Sequence, residues 1–242
     1  MANLYNLVLY QPLLNALIFF YQTIAFKDLG LAIIFLTVLI RIILFPVFSK
    51  SARHQMLMQE LQPKIKKIQE EHKHDRQKQG EAMMGLYREH RINPFSGIFL
   101  LLVQLPILIA LFQIFNNILK PDGLAGIYSF LIAPDGLNTH FLGFNLIPLE
   151  ESNIIVTGFA TLAQYVQGWL ALPKIEKGKN LSQAEKMGRQ MAYIAPVITF
   201  VVLFRLPAAI GLYWLTTSLF SIIQQKLINR STHNGQLGNV RK

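Results

Sequence analysis

The feature that most constrains this chain is a set of long apolar runs that contain no acidic residue. Each run is long enough, or nearly long enough, to cross about 30 Å of hydrocarbon. The runs are Leu29–Phe48, Gly97–Leu119, Asn153–Leu172 and Met191–Ile228. The last is too long for one helix, and Pro207 divides it into Met191–Phe204 and Ala208–Ile228. The pattern predicts an all-α membrane protein with five transmembrane helices.

Charged residues make up only 15% of the chain, whereas a soluble domain normally carries about a quarter. Their placement is one-sided. Ten Lys and Arg lie between Lys50 and Pro94 and five between Pro173 and Gln190, but residues 120–152 hold one lysine and four acids. Because Lys and Arg mark cytoplasmic loops, the C-terminus is expected in the cytoplasm. Five spans would place the N-terminus outside, whereas a sixth span would place it inside without changing the rest.

This pattern divides the chain into an outer-surface segment (1–28), a five-helix core (29–230) and a cytoplasmic tail (231–242). Within the core, residues 120–152 are the outer loop and 173–190 the second cytoplasmic loop. Residues 49–94 are predicted to form a cytoplasmic helical hairpin. Two apolar stripes at helical spacing support it: Leu57, Leu61, Ile65 and Ile68, then Met83, Met84, Leu86 and Tyr87. The methionines fit the packing seam of the hairpin or an adaptable contact surface.

The N-terminal run Leu4–Phe26 allows two interpretations. It carries no charge before Lys27, but it contains Asn6, Gln11 and other polar residues. We favour an amphipathic helix in the outer headgroup region over a sixth transmembrane span.

Arg41 is the most unusual residue, because it lies inside the first apolar run. An arginine at the centre of a transmembrane helix costs about 2.5–3.5 kcal/mol on insertion scales. No acidic residue in the runs can pair with it, so we expect a hydrated, positively charged recess. Neutral polar side chains within the runs could line it: Thr37, Gln104, Gln113, Gln164, Gln167, Thr216, Thr217 and Ser218. The alternative is that Arg41 extends to the membrane surface.

Motifs of nucleotide-binding proteins, zinc proteases and serine hydrolases are absent from the sequence. His72 and His74 lie in a charged turn without a third metal ligand in register. The chain has no cysteine. We therefore predict a protein that is not an enzyme and that uses no metal or other cofactor.

The order of several segments resembles the YidC/Oxa/Alb membrane insertases. The resemblance covers about Leu29 to Gln225 and is specific because of the order and the loop lengths. The segments are "LAIIFLTVLIRIILFP", "LQPKIKKIQEE", "LYREHRINPFSG", "LLVQLPILIALFQIF", "FLGFNL", "YVQGWLALP" and "RLPAAIGLYWLTTSLFSIIQQ". The chain resembles the short bacterial form, which has no large periplasmic domain.

The resemblance implies five helices around a hydrophilic groove that opens to the cytosol and to lipid and is sealed outside. By position, Arg41 is the groove arginine, and Gln104, Gln167 and Trp214 match other groove positions. Gln164 is the alternative to Gln167, and we add Thr37 because it lies one turn before Arg41.

The function implied is insertion of nascent membrane proteins in the bacterial cell (inner) membrane. Hydrophilic flanks would cross through the groove, and transmembrane segments would pass into lipid. The partners expected are nascent membrane proteins and the lipid bilayer, with the ribosome and the Sec translocon as further candidates and no role for DNA. The alternatives are a small-anion transporter or channel, and a non-inserting assembly factor.

Overall fold

The computed structural model describes residues 2–93, 95–118, 120, 123–124, 126–134, 136–143, 147–172 and 183–239. Most of the predicted second cytoplasmic loop and the last three residues of the tail lie outside these ranges. In the described ranges the chain is helical without β-strands, apart from one isolated bridge between His140 and Pro148.

Ten α-helices form the described structure, with a π-helical turn, Asn6–Tyr10, between the first two. They are α1 (Ala2–Tyr5), α2 (Gln11–Thr23), α3 (Leu29–Ile43), α4 (Phe45–Glu60), α5 (Gln62–Glu71), α6 (Arg76–Glu89), α7 (Ser96–Asn117), α8 (Ile154–Leu170), α9 (Gln183–Leu203) and α10 (Ala208–Asn239). Five of them, α3 and α7–α10, correspond to the five predicted spans.

The main core lies where α10 packs against α8 and α3, and where α2 packs against α3. Leu17, Leu36 and Ile114 from three different helices are almost completely buried there. The outward faces of α7, α8 and α9 are also apolar, and Leu102, Phe159 and Val197 are 61%, 59% and 63% exposed. Large exposed apolar side chains in such numbers indicate a surface that meets lipid or another protein.

The N-terminal segment has two parts with different surroundings. Leu14, Leu17 and Ile18 of α2 are fully buried in the main core, whereas Leu4 and Leu7 are 66% and 67% exposed. Tyr5 donates a hydrogen bond to Gln113 of α7 at 2.9 Å, so the exposed part also contacts the bundle. The segment is therefore not one uniform amphipathic helix. Its first part is largely exposed, and its second part, α2, packs into the main core.

The first predicted span, Leu29–Phe48, is broken in the structure. Helix α3 ends at Ile43, and α4 begins at Phe45 with Pro46 in its first turn and a bend of 64°. A proline has no N–H to continue the hydrogen-bond ladder of the preceding helix, which accounts for the break. We expected one continuous helix across this run, whereas the structure divides it into two helices.

No helix within the described ranges is by itself both long and apolar enough to cross a membrane. The bent pair of α3 and α4 meets both conditions when its two helices are taken together.

Helices α5 and α6 pack against each other and form a separate small core. Leu61, Ile65, Leu86, Tyr87 and Ile92 are buried in it. Leu57 and Met84, which belong to the predicted stripes, are instead 40% and 41% exposed. Asp75 is the N-cap of α6, and its carboxylate accepts the backbone N–H of Lys78 at 3.0 Å. This bond holds the pKa of Asp75 below its usual value.

The connection between α7 and α8 is bonded to the first residues of two helices, α3 and α10. Asp28 caps α3 by accepting the N–H of Leu31 at 2.9 Å, and its second oxygen accepts the N–H of Leu142 at 2.6 Å. The N–H of Leu29 donates to Asn138, and the N–H of Ala208 donates to Glu151 at 2.7 Å. These bonds, two of them to the Asp28 carboxylate and two between backbone groups, hold the connection against one end of the bundle.

Gly30 is required by the close approach of Phe141 from this connection. An added Cβ at position 30 would overlap the Phe141 ring and lie 2.9 Å from its Cγ. We expect Gly30→Ala to destabilise the protein by about 1–3 kcal/mol, the usual cost of overpacking, and to lower its melting temperature in detergent. Gly158→Ala in α8 is the matched control, since an added Cβ there meets nothing within 4 Å and alanine favours a helix. Equal melting temperatures for the two variants would contradict this interpretation.

Candidate functional site

Arg41 lies in the last turn of α3, two residues before the helix ends. The carbonyl groups at a helix C-terminus carry partial negative charge, which favours a cation at this position. Pro46 marks a weak point in this stretch, but we expected Arg41 to lie inside one continuous helix.

The guanidinium group of Arg41 is held by neutral side chains of α10. Its Nη2 donates to Ser221 Oγ at 2.5 Å and to Gln224 Oε1 at 3.3 Å. The Phe48 and Phe220 ring centroids lie 4.0 Å and 5.3 Å from its Cζ. The residue is only 3% exposed, so the side chain points into the helix bundle.

Among the described residues, no carboxylate forms an ion pair with Arg41; both ion pairs seen there lie in the α5–α6 hairpin. Its Nε also lacks a hydrogen-bond partner in the described structure. A buried cation without a counter-ion is costly unless water or a ligand anion reaches it.

A cavity of about 420 Å³ lies beside Arg41. Five of the six predicted groove residues line it: Arg41, Gln104, Gln164, Gln167 and Trp214. Gln164 and Gln167 are one turn apart on α8, so both reach the cavity. The structure therefore brings together residues from α3, α7, α8 and α10.

Thr37 does not line this cavity. It is 1% exposed, and its hydroxyl donates to the carbonyl of Ile33 at 2.6 Å. A threonine in a helix commonly satisfies itself in this way, one turn back. Of the other neutral polar residues named from the sequence, Thr217 and Ser218 line the cavity, whereas Thr216 and Gln113 do not. The Thr216 hydroxyl donates to the carbonyl of Leu212, and Gln113 accepts from Tyr5.

Two hydrogen bonds join aromatic residues of α10 to amides in the cavity wall. Trp214 Nε1 donates to Gln164 Oε1 at 3.0 Å, and Gln104 Nε2 donates to the hydroxyl of Tyr213. These bonds connect α10 with α8 and α7, and they leave amide and hydroxyl groups facing the cavity. The lining therefore offers both donors and acceptors to a polar chain.

Sequence reasoning missed several cavity residues, of which Ser221 and Gln224 matter most because they bind Arg41 directly. A signal for them existed. On α10, one helical face carries Trp214, Thr217, Ser218, Ser221, Gln224 and Gln225, spaced by one or three residues. Phe48 and Gln55 of α4 also line the cavity, but their position depends on the bend after α3.

A second, apolar cleft of about 390 Å³ adjoins the polar cavity. It lies between α7, α9 and α10, and its lining includes Phe112, Ile198 and Val202. Leu108 and Trp214 line both spaces, so they form the boundary between them. A polar and an apolar recess therefore share one wall.

Within the ranges that the structure describes, no three His, Asp or Glu side chains come together as a ligand set. The cavity lining consists of one cation, neutral amides, hydroxyls and apolar groups, which does not suit a divalent cation.

Comparison of the sequence with known proteins identifies the family of this chain. A profile described as "60Kd inner membrane protein" matches residues 19–235. Proteins named "Membrane protein insertase YidC" are similar to the chain over most of its length. One from Clostridium tetani is 37% identical over 85% of both chains. Another, from Fusobacterium nucleatum, is 33% identical over 83% of this chain and 86% of its own.

A third relative with the same name, from Treponema denticola, is 32% identical over 88% of this chain but over only 36% of its own length. The residues that surround Arg41 all fall within the stretch that the family profile matches. The chain therefore belongs to the 60Kd inner membrane protein family, the YidC-type membrane protein insertases.

Proposed function

We propose that this insertase moves the hydrophilic flank of a nascent membrane protein through the polar cavity around Arg41. The observation that carries the proposal is a buried guanidinium that faces a cavity and is held by neutral groups alone among the described residues. Such a cation can attract acidic residues of a passing chain. Attraction between charges is stronger in a cavity of low dielectric than in water.

The proposed arrangement in the bilayer follows the charge pattern of the sequence. Helices α3 and α7–α10 would span the membrane, with the N-terminus outside and the C-terminus in the cytoplasm. At 1.5 Å per residue, the 22 residues of α7 extend about 33 Å, close to the hydrocarbon thickness. The apolar outward faces of α7–α9 would then meet lipid. The basic α5–α6 hairpin would lie in the cytoplasm, where it could meet the nascent chain, the ribosome or the Sec translocon.

The two recesses suggest how one substrate could be divided between two solvents. Its polar flank would occupy the cavity beside Arg41, which shortens the distance over which charged groups must cross oil. Its apolar segment would lie in the cleft beyond Trp214 and Leu108 and then move into lipid, driven by burial of its own surface. This process needs no nucleotide, and the binding of the flank must stay weak enough for release.

The decisive experiment uses the purified protein in liposomes. We expect it to insert a single-spanning substrate with an acidic N-terminal tail, measured by protease protection, while a chloride-flux assay on the same liposomes stays at the background rate. Empty liposomes and liposomes with heat-unfolded protein are the controls. Anion flux without insertion would favour the alternative, an anion channel that uses the same unpaired cation.

A further inference from the structure

We propose that Gln224 is a positioning residue that holds Arg41 at the α3–α4 break in a neutral cage and so keeps its charge available to the substrate. This inference rests on the proposed function of Arg41. It concerns a side chain that sequence reasoning did not select and that touches the cation directly.

Gln224 connects three parts of the site through one amide group. Its Oε1 accepts from Arg41 Nη2 at 3.3 Å, and its Nε2 donates to Ser49 Oγ at 2.9 Å and to the carbonyl of Phe45 at 3.3 Å. The residue is only 4% exposed. It therefore ties α10 to the last turn of α3 and to the first turn of α4, on both sides of the bend.

The chemistry at this position requires an acceptor and a donor at once. The side facing Arg41 must accept, because a guanidinium only donates, and the side facing the Phe45 carbonyl must donate. Glutamine supplies both without net charge. A glutamate would accept from Arg41 but would meet the Phe45 carbonyl with a second acceptor, and an apolar residue would do neither.

The side chain at position 224 is also neutral, which leaves the charge of Arg41 uncancelled. A carboxylate at this distance would form a buried ion pair with Arg41 and cancel the charge that the substrate is to meet. Ser221, the other partner of Nη2, is likewise neutral, and the nearby rings of Phe48 and Phe220 attract a cation through their faces without cancelling it. The cage thus orients the guanidinium and leaves its full charge.

The test measures the accessibility of Arg41 directly, by phenylglyoxal modification of the purified full-length protein followed by mass spectrometry. Arg205, which is exposed between α9 and α10, serves as the internal reference. We expect Gln224→Met, which keeps the volume but cannot hydrogen-bond, to raise the relative modification rate of Arg41 about fivefold. Gln224→Glu should lower that rate, because the new carboxylate pairs with the guanidinium.

Both variants should nevertheless reduce insertion of an acidic-tailed substrate by about fivefold, one by misplacing the cation and the other by neutralising it. A purely structural role for Gln224 predicts instead that both variants change the Arg41 modification rate in the same direction. Gln55→Met is the matched control, since Gln55 lines the same cavity but makes no hydrogen bond to Arg41, and we expect it to leave the Arg41 modification rate unchanged.

Each variant carries its own predicted sign, so either one is informative if the other does not fold. An unchanged modification rate of Arg41 in the folded variants would overturn the positioning role. Opposite shifts in modification, combined with normal insertion by Arg41→Ala, would instead support the positioning role and overturn the proposed function of Arg41.

Discussion

Replacing Arg41 with alanine should reduce the insertion of a single-spanning substrate with an acidic N-terminal tail by about tenfold or more. This factor corresponds to the loss of one charge-assisted contact in a partly desolvated site. Arg41→Lys should retain most of the activity, because it keeps the charge although it loses the planar contact with Phe48. The measurement is protease protection of the inserted substrate in liposomes, at equal amounts of reconstituted protein.

The control for this prediction is a substrate whose acidic tail residues are replaced by Gln and Asn. Its insertion should be nearly the same with arginine or alanine at position 41, because no charge on the flank meets the cation. We also expect Arg41→Ala to fold normally, since removing a buried cation that lacks a counter-ion relieves a desolvation cost. Full activity of the alanine variant on the acidic substrate would remove the electrostatic step from the mechanism.

The second large effect is expected at Asp28, where alanine should lower the free energy of unfolding by about 2–4 kcal/mol. The substitution removes the cap of α3 and also the acceptor for the N–H of Leu142 in the α7–α8 connection. Asp28 is 6% exposed, so water cannot readily replace either bond. The melting temperature in detergent and the rate of proteolysis in the connection would measure the loss.

Asp75→Ala is the matched control, because Asp75 caps α6 through the same kind of bond, to the N–H of Lys78. It lies on the exposed hairpin and accepts no backbone N–H from a distant segment, so we expect a clearly smaller loss than at Asp28. If the two alanine variants were equally destabilised, the bond between Asp28 and Leu142 would contribute nothing measurable to the free energy of unfolding. Asp28→Asn, which keeps one acceptor, should fall between wild type and Asp28→Ala.

Much of the site could be read from residue types and their order. Arg41 stands out because the apolar runs offer it no acid, and the amides at positions 104, 164 and 167 are unusual in runs of that hydropathy. Five of the six proposed groove residues do line one cavity. Their role in substrate binding remains the proposal that the insertion assays test.

Other features of the site and the fold could not be predicted from the sequence, because they depend on where segments distant in the chain come into contact. Thr37 has the same spacing from Arg41 as a cavity residue would have, but its hydroxyl binds the carbonyl of Ile33. The bend after Ile43 turns Phe48 and Gln55 toward the cavity, although Pro46 alone predicts only a weak point in the helix. The close approach of Phe141 to Gly30 joins residues that are far apart in the chain.

The sequence by itself determined the helical class, the apolar segments, the separation of basic and acidic loops, and the presence of Arg41 inside an apolar run that contains no acidic residue. These properties follow from composition and periodicity within short windows. Only the tertiary structure decided which neutral groups hold that cation, because Ser221 and Gln224 lie 180 and 183 residues away from it. Contacts at such separations depend on how α10 packs against α3, and local spacing carries no information about that packing.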